Sequence, residues 1–210
     1  GDAPAAMFTR ELMPDAFLRK RGDVQAMPFG YPEARVVAPS LARTKVLLAW
    51  HVWEWAMLPE CSTMRLNLSR YARSVMHEEW ALNRCTGIET NCERITQAEY
   101  LELMLKCGVC VCPAGAGYFT NRLFEAVARG CAPVMEAPSV QFPHAFQDGV
   151  DGVYFRSVDQ AIEAVEELVA SPQLALAMAQ QAQARLLKFH TTRARARQII
   201  DSVNGATLNK

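Results

Sequence analysis

The chain lacks net charge: across its 210 residues, 22 Lys and Arg stand against 22 Asp and Glu. A nucleic-acid surface needs a clear basic excess, so no nucleic-acid partner is expected. The run Arg193, Arg195, Arg197 near the C-terminus reads as a solvated helix face. A long apolar run is missing too. The longest, VLLAWHVWEWAML at 46–58, contains His51 and Glu54 and is too short and too polar to span a bilayer, so no transmembrane segment is expected. Residues 1–25 are broken by charges and show no apolar core of the secretory type. The seven cysteines are an odd number scattered along the chain, unlike a small disulfide scaffold. A reducing, cytoplasmic setting is the expectation. NLS at Asn67 and RGD at 21–23 are short enough to arise by chance and carry no weight. There is no internal repeat, and the Ala/Gln-rich stretch 174–186 is simply helix-forming.

What is present is the composition of a soluble globular protein, half apolar and about a fifth charged, long enough for one large or two small domains. Residues 1–44 hold several prolines and glycines and little periodicity, which predicts a lead-in with one short helix near 9–20. A Rossmann-like domain is expected over 45–210. Within it, KVLLAWHV (45–52) is a continuous apolar run suited to a strand covered on both faces. Residues 64–82 have helical spacing, and a short strand is expected at 87–90. TQAEYLELMLKC (96–107) opens with Thr96 and Glu99 in the S/T-x-x-E pattern of a capping box. Strands follow at 108–113, 131–136 and 151–155. Helices are expected at 120–130, with Thr120 as N-cap and Gly130 as stop, at 157–171 under a Ser cap, and over 172–203 with a break near 190–192. Apolar strands alternating with amphipathic helices predict an α/β fold, a parallel sheet with helices on both faces. Ligands in such sheets bind beyond the carboxyl ends of the strands.

CGVCVCPAGAG (107–117) puts three cysteines just ahead of a loop of small residues. A structural zinc site needs four ligands, usually in two close pairs, and no second pair is near, so no metal site is expected. A redox C-x-x-C belongs at a helix N-terminus, whereas this one spans a helix end and a strand. On that strand Cys110 and Cys112 point to one face and Val109 and Val111 to the other, so the thiols read as small hydrophobes.

PAGAGYFTNRLFEA (113–126) has a different character. Backbone amides left open by Gly115, Ala116 and Gly117, leading to a helix N-terminus, suit a phosphate or diphosphate. The Lys-Ser/Thr of a P-loop is missing. A dinucleotide fingerprint is nearer: Gly115 and Gly117 match its first two glycines, Thr120 occupies the third, and Glu136 stands where a ribose-binding acid would. A plain Gly-rich turn is the third reading. His51 and His144 lie at possible rim positions, Trp50, Trp53 and Trp55 pack or stack near the first, and His190 reads as a helix-junction residue.

GVCVCPAGAGYFTNRLFEAVARGCAPVM resembles the donor-binding core of the GT-B glycosyltransferases, nearest their group-1 and spore-maturation-protein-like branch and more loosely the exostosin-like enzymes. FPHAFQDGVDGVYF (142–155), residues 158–196 with their His-Thr, FTREL (8–12) and MPFGY (27–31) match further segments in order. The resemblance implies the C-terminal half of a GT-B fold and transfer of a sugar from a nucleoside-diphosphate sugar, with no metal or other cofactor. It assigns Glu125 to the ribose hydroxyls, the loop amides of Gly115–Thr120 (Gly115, Ala116, Gly117, Tyr118 and Thr120 among them) to the diphosphate, Asn121 to the donor site more broadly, and Arg122 either to the diphosphate charge or to bracing the loop. Many retaining members carry a second Glu at the position of Gly117, so the resemblance specifies neither sugar nor stereochemical course. The acceptor half would come from another domain or a second chain. A dinucleotide-binding oxidoreductase and a non-catalytic member of the same fold remain the alternatives.

Overall fold

The computed structural model describes residues 7–9, 24–26, 30–48, 63–65, 67–68, 81–82, 96–115, 118, 120–139 and 143–208. Two short strands, β1 (Met7–Thr9) and β2 (Val24–Ala26), pair in parallel. The main sheet comprises β3 (Lys45–Leu47), β4 (Ala81–Leu82), β5 (Cys107–Cys112), β6 (Ala132–Glu136) and β7 (Val153–Phe155), in the order β4-β3-β5-β6-β7. Every pairing in it is parallel. The helices are α1 (Gln97–Met104), α2 (Asn121–Ala128), α3 (Val158–Ala170), α4 (Pro172–Phe189) and α5 (Thr192–Leu208). The expected α/β architecture is therefore present.

Packing follows the alternation along β5. Cys110 and Cys112 join Leu47, Leu123, Phe124, Val127 and Leu186 in one core. Val109 and Val111 join Val46, Val134, Phe155, Val165 and Met178 in the other. Thus α1 and α2 cover one face, α3 the other, and α4 reaches both through Ala182 and Leu186 on one side and Ala175 and Met178 on the other. All four described thiols in this region are free and buried, as small apolar filler should be.

The capping box is complete: Thr96 Oγ1 accepts from Glu99 N at 3.2 Å and Glu99 Oε2 from Thr96 N at 2.6 Å. The break between α4 and α5 falls at His190 and Thr191. Gly130 ends α2 with φ of 81° and its α-carbon close to Pro39, where an added Cβ would lie 2.8 Å from the Pro39 Cα. Glycine alone meets both demands without strain.

One expectation shifts. Ala81 and Leu82, read as a helix end, form β4 against Val46 and Leu47; an adjacent apolar pair fits either period, and sheet pairing decides it. The strand expected at 87–90 and the helix near 9–20 lie outside the described residues, save that Thr9 is in β1. Residues 30–44 make backbone and side-chain hydrogen bonds to the helices. Tyr31 N donates to His190 O and Thr192 N to Tyr31 O, while Val37 N donates to Ala128 O. Gln183 Nε2 reaches Val37 O at 2.9 Å, so this segment is stitched to α2, α4 and α5.

Candidate functional site

The strand order reverses between β3 and β5: the chain runs outward from β3 to β4, then returns to the other side of β3. Crevices that bind ligands in open parallel sheets form at such a switch point, beyond the carboxyl ends of the strands. Pro113, Ala114 and Gly115 leave β5 there. Ala114 is fully buried, and its peptide groups are held from both sides. Its N–H donates to Glu136 Oε2 at 2.8 Å, at the end of β6. Its carbonyl accepts from Arg65 Nε at 2.6 Å, and Pro113 O from Arg65 Nη2 at 3.4 Å.

Arg65 lies in helical residues between β3 and β4 and is only 7% exposed. A Cβ on Gly115 would sit 2.5 Å from Arg65 Nη2. The glycine thus lets a buried guanidinium lie directly against the loop backbone. Glu136 is raised from the usual carboxylate range by burial, an effect opposed by the Ala114 amide and by Arg65. This carboxylate, which a dinucleotide reading gives to a ribose, is spent on bracing the loop.

Ala116, Gly117 and Phe119 lie outside the described residues. Tyr118 reaches across to the segment after β6, where its hydroxyl accepts from Ser139 Oγ at 3.1 Å. Thr120 occupies the N-cap of α2 with extended backbone, but its hydroxyl makes no capping bond. The amides of the first turn, bearing the positive end of the helix dipole, are not closed off by that side chain. Asn121 is exposed on this turn.

Arg122 turns toward α1, where its Nε donates to the Tyr100 hydroxyl at 2.9 Å. Its Nη1 is buried with no hydrogen-bond partner among the described residues. Glu125, one turn beyond Asn121 on the same face, is half-buried and accepts from Gln97 Nε2 at 2.7 Å. Burial raises its carboxyl, while the Gln97 hydrogen bond and the charges of Arg122, Arg129 and Arg35 pull it back down.

His144 is exposed in the segment after β6, with φ of 58°. Its ring stacks on Phe189 at 4.0 Å, and its carbonyl accepts from His190 Nε2 at 3.0 Å. It therefore belongs to the α4–α5 junction. His51 and the three tryptophans near it lie outside the described residues. Among the described residues no cluster of His, Cys, Asp or Glu could hold a metal, and no helix is long and apolar enough to cross a membrane.

Two residues at this site went unnoticed in the sequence. Arg65 was one charge in an amphipathic stretch; only the strand order brings it to the loop. Gln97 follows the Thr96 cap, and the capping box is the sequence signal that fixes where it stands.

A profile of the family described as "Glycosyl transferase-like" matches residues 33–201. The chain matches no curated protein. Among solved structures it is similar to sucrose-phosphate synthase from Thermosynechococcus elongatus, with 16% identity, a TM-score of 0.62, and 95% of this chain and 58% of that one covered. It is also similar to Alr3699/HepE from Anabaena, at 13% identity and a TM-score of 0.62, covering 87% of this chain and 57% of that one. The C-terminal domain of the group 1 glycosyl transferase LpcC from Francisella tularensis matches over 78% of this chain and 100% of its own length, with 12% identity and a TM-score of 0.57. The chain thus spans under two thirds of the length of the first two and all of an isolated C-terminal domain. At these identities the likeness is one of fold.

Proposed function

This chain belongs to the glycosyl transferase-like family, and from that premise we propose that it is the donor-binding half of an enzyme moving a sugar from a nucleoside-diphosphate sugar to an acceptor. The diphosphate lies against the Gly115–Thr120 loop and the first turn of α2, and the nucleoside ribose meets Glu125. The carrying observation is the loop itself: a backbone turn at the switch point, held between Arg65 and Glu136 and aimed at a helix end its own Thr120 leaves open. Anions bind such ends through amides and dipole. As the sugar departs, negative charge grows on the diphosphate, and fixed donors lower that barrier. The loop amides supply them from the protein itself. A carboxylate on the adjacent helix is an apt acceptor for two vicinal hydroxyls.

Alr3699/HepE, one of the similar structures, was solved with UDP and with UDP-glucose, which supports a nucleotide-sugar donor here. Since the chain spans 57% of that protein, the acceptor site and any catalytic base are assigned to another domain or chain. Free buried thiols at Cys107, Cys110, Cys112 and Cys131 favour a cytoplasmic, reducing setting.

Thermal unfolding with UDP, GDP, ADP and NAD tests the reading. At a hundredfold excess over Kd, one diphosphate should add about 2.7 kcal/mol and raise Tm by roughly 5–10 °C, an effect Glu125→Ala should remove. Stabilisation by NAD alone, or by none of the four, would overturn it.

A further inference from the structure

Helices α1 and α2 are joined by two side-chain bridges: Gln97 to Glu125 and Tyr100 to Arg122. The residues are three apart on each helix and taken in opposite order, so the helices run antiparallel side by side. Tyr100–Arg122 is the inner bridge, with the phenol deeply buried and its ionisation driven up by that burial. Gln97–Glu125 is the outer one and faces solvent. The backbone of Gln97 has little freedom, because it is the first residue of α1 and its cap is closed by Thr96 and Glu99 in both directions.

The chemistry of the outer bridge fixes its orientation. A carboxylate only accepts, so the amide must present Nε2 to Glu125 Oε1, which leaves the Gln97 carbonyl oxygen turned elsewhere. Neither that oxygen nor Glu125 Oε2 has a hydrogen bond among the described residues. Each residue therefore keeps one acceptor oxygen beyond the bridge, one charged and one neutral, while the amide donates to the charged group. Two vicinal hydroxyls are the donor pair such an arrangement matches.

We propose that Gln97 is a specificity-determining residue of the nucleotide site, holding the Glu125 carboxylate in place and sharing with it the recognition of the ribose diol. The inference rests on the assignment of Glu125 to the ribose. It adds what that assignment leaves open: how a carboxylate at the surface is kept from swinging away, and what reads the second hydroxyl.

The test is a selectivity ratio, which a merely structural role would not move. Calorimetric titrations give Kd for UDP, GDP and ADP and for the 2′,3′-dideoxy form of each, on the wild-type chain, Glu125→Gln, Gln97→Leu and Gln97→Lys. The wild type should bind its preferred ribonucleotide about tenfold or more tighter than the dideoxy form, as expected for hydrogen bonds to a charged group. Glu125→Gln should cut the ratio sharply. Gln97→Leu should also lower it several-fold while leaving dideoxynucleotide affinity unchanged. Gln97→Lys, which still donates to the carboxylate, should recover part of the loss. If Gln97→Leu keeps the wild-type ratio while Glu125→Gln loses it, this inference is wrong and the ribose assignment stands. If the wild type binds both forms equally, or binds none, the assignment of Glu125 fails and Gln97 falls with it.

Discussion

Lowering the pH from 7 to 5 should weaken the wild-type fold more than a His190→Asn variant, by an amount set by one buried ring. His190 has no solvent exposure and packs against Phe124 and Phe146. Its Nε2 faces the His144 carbonyl at 3.0 Å and so carries the proton. Its Nδ1 accepts from Arg195 Nη2 at 2.6 Å. A second proton would break that bond and set two cations in contact. Burial, and then Arg195, bring the imidazole from the usual 6.5 down to about 3. The unfolded chain therefore takes up a proton that the native chain refuses between those values. Stability from this group is complete above pH 6.5 and is lost as pH falls toward 3, at about 1.4 kcal/mol per unit. At pH 5 the loss is about 2 kcal/mol. The asparagine variant does not titrate here. Its lost packing costs the same at both pH values and cancels when the two are compared. Urea unfolding at pH 7 and pH 5, followed by far-UV circular dichroism, should show the wild-type advantage shrinking by about 2 kcal/mol. An advantage that stays constant or grows on acidification would refute the neutral, Arg-facing imidazole.

Gly130→Ala forces a side chain into a left-handed backbone position and against Pro39; thermal unfolding should show a loss of about 2 kcal/mol or more. Gly115→Ala drives Cβ into the buried Arg65 guanidinium. It should cost about 1–3 kcal/mol and weaken nucleoside-diphosphate binding in calorimetry, and an unchanged affinity would count against the role of the loop. Because burial raises the Glu125 carboxyl, nucleotide affinity should begin to fall on acidification above the ordinary glutamate range. Glu125→Gln should flatten that profile between pH 7 and pH 4.

Local periodicity carried much of the architecture. The alternation in VCVC assigned Cys110 and Cys112 to one face and Val109 and Val111 to the other, and they do divide between the two cores. Thr96 and Glu99 marked the start of α1, and the polar break at His190 marked the α4–α5 junction, because caps and breaks are set by neighbours in sequence. Long-range pairings were hidden. The place of Arg65 depends on which strand lies beside β5, and nothing in residues 64–82 encodes that. Residues 30–44 lack periodicity since backbone hydrogen bonds and single anchors such as Tyr31, rather than an amphipathic face, bind them to the domain. Thr120 was legible as an N-cap by position but not by chemistry, since its hydroxyl makes no capping bond to the helix amides.

The central claim is that a nucleoside diphosphate lies on the loop after β5. Hydrogen exchange with and without the best-binding diphosphate tests it most directly, amide by amide. The account predicts slowed exchange concentrated in residues 114–125, with weaker protection around 136–139 through Glu136 and Ser139. Protection confined to the α4–α5 junction or spread evenly over the sheet, with none at 114–125, would contradict it.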